Sequence, residues 1–218
     1  MRTLILALLL ISIYSFNLRK AKQSYDSYVM AVQWSNGYCQ VNSCGDRAAH
    51  VETNTLTIHG LWPSLKNGKR LNPCTSGVKI KDDGSELFKR MKQYWPSFSN
   101  KGNEAFWEHE YNKHGFCMVE EYGWEGYEQY FDFTLDLFLK DYKDLIIEAF
   151  PDTQDTTLQV SYDDMKKKIK GIIPNATFQM NCKSGYLTEF YFYLLKDYTP
   201  STSSKFNNQC KSGKVIFK

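Results

Sequence analysis

The sequence carries little net charge, few histidines and no second long apolar run. Lys and Arg number 27 against 24 Asp and Glu, a formal charge of +3. So mild a balance excludes a protein whose affinity rests on neutralising many phosphates. A nucleic-acid partner would have to be a few nucleotides held in a cleft. Beyond the N-terminal run, no segment approaches the roughly 18 consecutive apolar residues of a transmembrane helix, so the mature chain is expected to be soluble. No C-x-x-C pair occurs, which argues against a zinc ribbon or a thioredoxin-type motif. No repeat, low-complexity tract or linker divides the 218 residues, which suits one domain.

What is present reads first as an ordinary globular chain, 42% hydrophobic and 23% charged. Aromatic residues reach 16%, rings that fill a core or offer platforms for nucleobases. At the N-terminus Arg2 precedes an apolar run from Leu4 to Phe16, followed by polar and basic residues. Residues 1–16 are therefore expected to be a secretory leader, cut at about residues 15–22, leaving 23–218 as a single domain. An uncleaved anchor is the competing reading. The six cysteines, Cys39, Cys44, Cys74, Cys117, Cys182 and Cys210, are even in number and fit export. They allow about 15 connectivities, and proximity favours only Cys39 with Cys44. Asn175-Ala176-Thr177 is a glycosylation sequon, usable on the secretory route.

The pattern mixes strands and helices without strict alternation. Tyr28–Trp34 reads as a buried strand leading into the first cysteine loop, and Leu56–His59 as a short strand stopped by Gly60 and Pro63. Ser85 is placed to cap a helix that breaks at Pro96, and Asn103 a second running to about Gly115. Trp124–Phe150 holds one or two further helices, and Ser161 caps another over Tyr162–Lys170. Lys166, Lys167, Lys168 and Lys170 are expected on its solvated face. Ala176–Cys182, Tyr186–Leu195 and Lys214–Phe217 look like strands. The expectation is an α+β fold: a central antiparallel sheet flanked by several helices and held by disulfides.

Only four histidines occur, His50, His59, His109 and His114. His109 and His114 are five apart, whereas a zinc-binding H-E-x-x-H helix needs them four apart, so the metalloprotease reading fails. On a regular helix His109, Lys113, Glu110 and His114 fall at about 0°, 40°, 100° and 140°. Two imidazoles, a carboxylate and an ammonium on one arc make either a solvated helix face or the set that metal-free phosphoryl transfer requires. The second element is His59-Gly60-Leu61-Trp62-Pro63-Ser64, where a strand-end histidine precedes a tryptophan able to stack on a base. By itself it fits a core histidine with Trp62 as filling. His50 has no assigned role.

Together the two segments resemble those of the ribonuclease T2 family, secreted acid endoribonucleases of low base specificity. H-G-L-W-P stands at His59–Pro63, and F-W-x-H-E-x-x-K-H-G-x-C at Phe106–Cys117. Trp34, Tyr94-Trp95-Pro96 and Ser161-Tyr162-Asp163-Asp164 extend the resemblance over nearly the whole mature chain. It implies disulfides Cys39–Cys44, Cys74–Cys117 and Cys182–Cys210. It implies catalysis by His114 as base and His59 as acid, with His109 on the phosphate and Lys113 and Glu110 stabilising the transition state. No metal or cofactor is expected. The implied substrate is single-stranded RNA, cut to a 2′,3′-cyclic phosphate and then a 3′-phosphate, while DNA resists. The resemblance fits a monomer that is secreted, or held in a lysosomal or vacuolar lumen. Tyr111, Phe116 and Ser64 depart from residues common in the family, Trp, Thr and Asp; the last concerns base preference. A catalytically dead binder predicts loss of His59 or His114, and both are present. A carbohydrate-binding protein leaves the paired segments unexplained.

Overall fold

The computed structural model describes residues 25–44, 55–65, 74, 76–152, 158–202, 210 and 214–217. The proposed leader and His50 lie outside the described residues. The architecture is α+β. In chain order it runs β1 (Ser27–Trp34), α1 (Ser35–Val41), β2 (Leu56–Ser64), α2 (Glu86–Tyr94) and α3 (Gly102–Glu110). A π-helical turn, Tyr111–Gly115, then leads directly into α4 (Phe116–Tyr122). There follow α5 (Tyr127–Asp141), α6 (Leu145–Ala149), β3 (Gln159–Ser161) and α7 (Tyr162–Ile172). The chain closes with β4 (Thr177–Lys183), β5 (Tyr186–Leu195) and β6 (Lys214–Ile216).

The strands form one sheet in the order β2-β1-β5-β6-β3, with β4 also paired to β5. Among the described residues every strand pairing is antiparallel except a single parallel contact, Tyr186 with Ile216. Alternation along β1 divides the sheet into two faces. Tyr28, Met30, Val32 and Trp34 enter the main core beside Phe88, Trp107, Phe131 and Phe138 from the helices and Trp95 just after α2. Val29 and Ala31 point the other way and meet Trp62, Tyr191 and Tyr193. This second face carries the functional cleft.

All three disulfides join the expected partners, Cys39–Cys44, Cys74–Cys117 and Cys182–Cys210. Ser161 caps α7 as expected, its hydroxyl accepting from the Asp164 amide at 3.1 Å. The lysine face of α7 is exposed. Three local expectations need correction. Asn103 does not cap α3; it lies within the first turn and its carbonyl accepts from the Ser97 amide at 2.8 Å. The helix does not stay regular to Gly115. Nor does β2 stop at Gly60 or Pro63, since it continues to Ser64. Pro63 is tolerated because β2 is an edge strand and needs no amide on its open side. Among the described residues, no helix is long and apolar enough to cross a membrane.

Candidate active site

His59 owes its position to a β-bulge. Val32 pairs with Ile58 and Ala31 with Gly60, so His59 is the extra residue between them. Without that insertion, strict alternation would turn Trp62 into the core and Leu61 onto the cleft face. The bulge leaves the His59 carbonyl outside the ladder, and the indole N–H of Trp95 takes it at 2.9 Å. The carbonyl of Trp95 in turn accepts from Trp107 at 2.8 Å. Two buried tryptophans thus connect the histidine's backbone to α3. Gly60 is needed for a close approach: a Cβ there would sit 2.3 Å from Glu110 Oε2 and 2.4 Å from Trp62 Nε1.

The helical half of the site is set by the π turn. The amide of Phe116 reaches the carbonyl of Tyr111, five residues back. The i→i+5 bonding widens the turn and lowers the rotation per residue, so the roughly 140° that would separate His109 from His114 on a regular helix is narrowed here. Gly115 presses this turn against Tyr130 of α5, where a Cβ would lie 2.6–2.8 Å from ring carbons. The Tyr130 hydroxyl donates to the Leu61 carbonyl at 3.1 Å, so a single ring spaces the turn from β2. Outside, Asn112 holds both the amide and the carbonyl of Val78, at 3.0 and 2.9 Å, and Glu108 accepts from the Ile80 amide at 3.0 Å. Together with Cys74–Cys117, these contacts fasten the segment before α2 to the helix.

His59, Trp62, His109, Glu110, Lys113 and His114 all line one cavity of about 320 Å³, with Pro63, Ser64, Cys117 and Tyr191 completing it. Every expected catalytic residue therefore reaches one place. Trp62 sits among them, its ring 5.2 Å from His114 in a stacked arrangement and 5.0 Å from His59 edge-on. Its N–H donates to Glu110 Oε2 at 2.8 Å. Trp62 is 7% exposed, with His114 stacked on it. Ser64 is buried and turns its hydroxyl back onto the Trp62 carbonyl at 3.1 Å.

Burial and charge sort the ionisable groups. Glu110 is 1% exposed, and burial pushes its carboxyl above the ordinary value against the opposing pull of His59, Trp62 and Lys113. His109 and Lys113 are the exposed members. Partial desolvation of its ring, followed by the charges of Lys113 and His59, holds His109 below the usual imidazole value. Among the described residues, no three His, Cys, Asp or Glu side chains are grouped to hold a metal ion.

One functional group escaped the sequence reading. Glu189, in the middle of β5, accepts from His59 Nδ1 at 2.8 Å, while His59 Nε2 lies 3.6 Å from Glu110 Oε1. A signal did exist, for Glu189 is the one charged residue in the strand Tyr186–Leu195. It also alternates in step with Tyr191 and Tyr193, and so falls on the cleft face. Asn175 lies in an exposed turn, in a left-handed conformation with φ of 64°.

The site's make-up agrees with comparison to known proteins. The profile of the Ribonuclease T2 family matches residues 25–210. Ribonuclease M of Aspergillus phoenicis is 29% identical over 160 residues, 65% of this chain and 66% of its own length. Ribonuclease T2 of Aspergillus oryzae is 31% identical over 164 residues, 66% of this chain and 58% of its own. The chain thus spans about half to two thirds of the length of these sequence relatives. Among solved structures, an RNase-related protein from Calystegia sepium superimposes with a TM-score of 0.68 at 23% identity, over 89% of this chain and 98% of that one. RNase NT gives the same score, identity and coverage. With the family profile matched from Tyr25 to Cys210, and both histidine segments inside that span, this chain belongs to the ribonuclease T2 family.

Proposed function

We propose that the protein is a metal-independent endoribonuclease that cleaves single-stranded RNA by transesterification. The observation that carries this reading is the convergence of His59, His109, Glu110, Lys113 and His114 on one cavity from two segments far apart in sequence. RNA supplies its own nucleophile, the 2′-hydroxyl. His114 removes its proton as the 2′-oxygen bonds to phosphorus, and His59 protonates the 5′-oxygen as the P–O5′ bond breaks. Each positioned acid or base contributes about 10²–10⁴-fold. Lys113 and His109, exposed at the cavity, meet the phosphate, and Lys113 supplies positive charge where negative charge grows. Glu110, whose carboxyl burial pushes above the ordinary value, hydrogen-bonds the phosphate. The product is a 2′,3′-cyclic phosphate, hydrolysed more slowly to a 3′-phosphate.

The acid must begin protonated and the base neutral, so the rate follows a bell on the acid side of neutral, near the reference imidazole value of ~6.5. An acidic lumen or the exterior suits that profile and the oxidising conditions that disulfides need. Low base specificity belongs to the same reading; Ser64, which stands where many family members have Asp, donates its hydroxyl to the Trp62 carbonyl. RNase NT was solved with 5′-AMP, a nucleotide of the class this cleft would take. The protein acts as a monomer, with Asn175 as its glycosylation site.

The test is cleavage of single-stranded RNA and matching DNA in EDTA from about pH 4 to 8, for wild type and His114→Ala. The expected result is RNA cleavage only, unaffected by EDTA, ending in 2′,3′-cyclic phosphate and lost by about 10²-fold or more in the variant. Absence of cleavage by folded, disulfide-intact wild type overturns the reading.

A further inference from the structure

We propose that Glu189 is a positioning residue that fixes the tautomer and the orientation of His59, so that Nε2 is the nitrogen that gives up the proton. The proposal rests on His59 being the acid of the reaction above. Its own basis is the hydrogen-bond geometry at the back of the cleft.

His59 has two ring nitrogens, and only one of them faces the reacting groups. Nδ1 lies 2.8 Å from Glu189 Oε1. Nε2 points toward Glu110, 3.6 Å away, on the side of the cavity where Trp62, His109, Lys113 and His114 gather. An ionised carboxylate only accepts, so a bond of this length requires hydrogen on Nδ1. The neutral imidazole is therefore the Nδ1–H tautomer, and the second proton of the imidazolium resides on Nε2. When the P–O5′ bond breaks, Nε2–H passes to the 5′-oxygen, and the ring left behind still donates through Nδ1 to Glu189. No rotation or tautomer exchange is needed in the proton-transfer step.

Glu189 is itself held from several directions. Oε1 also accepts from Gln33 on β1 at 3.2 Å. Oε2 accepts from the Tyr191 hydroxyl at 2.8 Å and from Asn181 on β4 at 3.4 Å. Four donors from three strands and the bulge thus converge on one carboxylate. Burial pushes this carboxyl up, yet the bonds from His59, Tyr191 and Gln33 prevail and hold it below the ordinary value. The ionised form is thereby favoured. Its charge favours the protonated imidazole, as a carboxylate at this distance does. Among the described residues, the other charged and titratable groups on the Nε2 side of His59 are Glu110, His109, Lys113 and His114, and a charge on His109 opposes protonation of the imidazole. Tyr38 of α1 faces Glu189 from behind and is pushed upward by burial, then by that carboxylate's charge. A carboxylate that accepts from the remote nitrogen of an acid–base histidine orients the ring and selects its tautomer. Nothing in β5 outside this contact calls for a buried charge.

The experiment pairs kinetics with a readout independent of catalysis. Imidazole ¹⁵N and ¹H spectra of His59 are titrated in wild type, Glu189→Gln and Glu189→Asp, each first shown to be folded by near-ultraviolet circular dichroism. RNA dinucleotide cleavage is followed across pH in parallel. In wild type, neutral His59 is expected as the Nδ1–H tautomer. In Glu189→Gln the His59 midpoint falls by about one pH unit or more. The alkaline limb of the rate falls with it, and kcat drops about tenfold or more while KM holds. Glu189→Asp keeps the charge and recovers part of the midpoint. An Nε2–H tautomer in wild type, or an unchanged midpoint and limb in folded Glu189→Gln, overturns the proposal. If Glu189→Gln does not fold, the wild-type tautomer and the Asp variant decide. Should wild type not cleave RNA, the spectra still answer for Glu189, so failure of the ribonuclease reading is seen separately.

Discussion

On the strand side of the cleft, His59 is tied at three points: its carbonyl to Trp95, its Nδ1 to Glu189, and its ring edge to Trp62. On the helix side, His109 and Lys113 stand exposed, and His114 rests on the indole of Trp62. The strand side is held by hydrogen bonds to buried or half-buried groups. The helix side is held from behind, by Gly115 against Tyr130 and by Tyr111 within an aromatic cluster of Phe116, Tyr127, Tyr130 and Phe131. The difference fits the work expected of each. A proton donor benefits from a fixed direction, which a hydrogen-bond network supplies. Groups that meet a phosphate need solvent-facing charge, which packing of the backbone behind them supplies without covering them.

The strongest way to break this contrast is to disturb the helix side from behind. Gly115→Ala forces a Cβ into the Tyr130 ring, which is fully buried and has no room to withdraw. The expected cost is about 1–3 kcal/mol of stability. Because Tyr130 also holds the Leu61 carbonyl, RNA cleavage falls about tenfold or more even well below the unfolding temperature. Calorimetry alongside single-turnover cleavage checks both. Normal cleavage from a destabilised protein would show that the π turn is not needed to aim His114.

A second change separates chemistry from stability. Glu110 binds its proton more readily in the folded protein than in the unfolded chain, because burial raises its carboxyl. Its ionisation therefore costs folding stability as pH rises above the ordinary carboxylate value of 4.5. Glu110→Gln removes that cost while keeping an acceptor for the Trp62 N–H. Cleavage should fall about 10-fold or more. The thermal midpoint should rise at about pH 7 and match wild type at about pH 4. Thermal scans across pH test this, and a midpoint lowered equally at all pH values would refute it.

The smallest effect is expected outside the cleft. Ser161→Ala deletes the cap of α7 and should cost about 1 kcal/mol, read from denaturant midpoints. RNA cleavage should stay at the wild-type rate. A loss of rate larger than the loss of stability would mean that α7 and the cleft are coupled, and the division into two separately supported sides would need revision.

How much of this was legible in the sequence varies with how local each feature is. Periodicity located most helices and strands, and Ser161 located the start of α7, because these depend on neighbours a few positions away; Asn103 misled because it turns to the Ser97 amide instead. The π turn was not legible: Tyr111–Gly115 carries no residue that demands it, and only the contact of Gly115 with Tyr130 accounts for its room. Gly60 and Pro63 read as strand breakers, yet the glycine makes space for Glu110 and Trp62, and the proline lies on an open edge. How far Trp62 is exposed depends on neighbours from β5 and the helical segment, Tyr191 and His114, which its own stretch of sequence does not name.

By itself the sequence determined the chemical inventory of this protein: which acids, bases and charges exist, and which of them share a helix or a strand. The paired segments at His59 and His114 carry that information at fixed spacing, and the disulfide partners followed from the family those segments resemble. The tertiary structure alone decided which groups face one another. Glu189 lies 130 residues from His59, and nothing in its neighbourhood along the chain points to a histidine. Whether a carboxylate is held ionised, as Glu189 is, or kept reluctant to ionise, as Glu110 is, depends on burial and on the donors aimed at it. Those are properties of packing between distant segments, which sequence spacing does not encode.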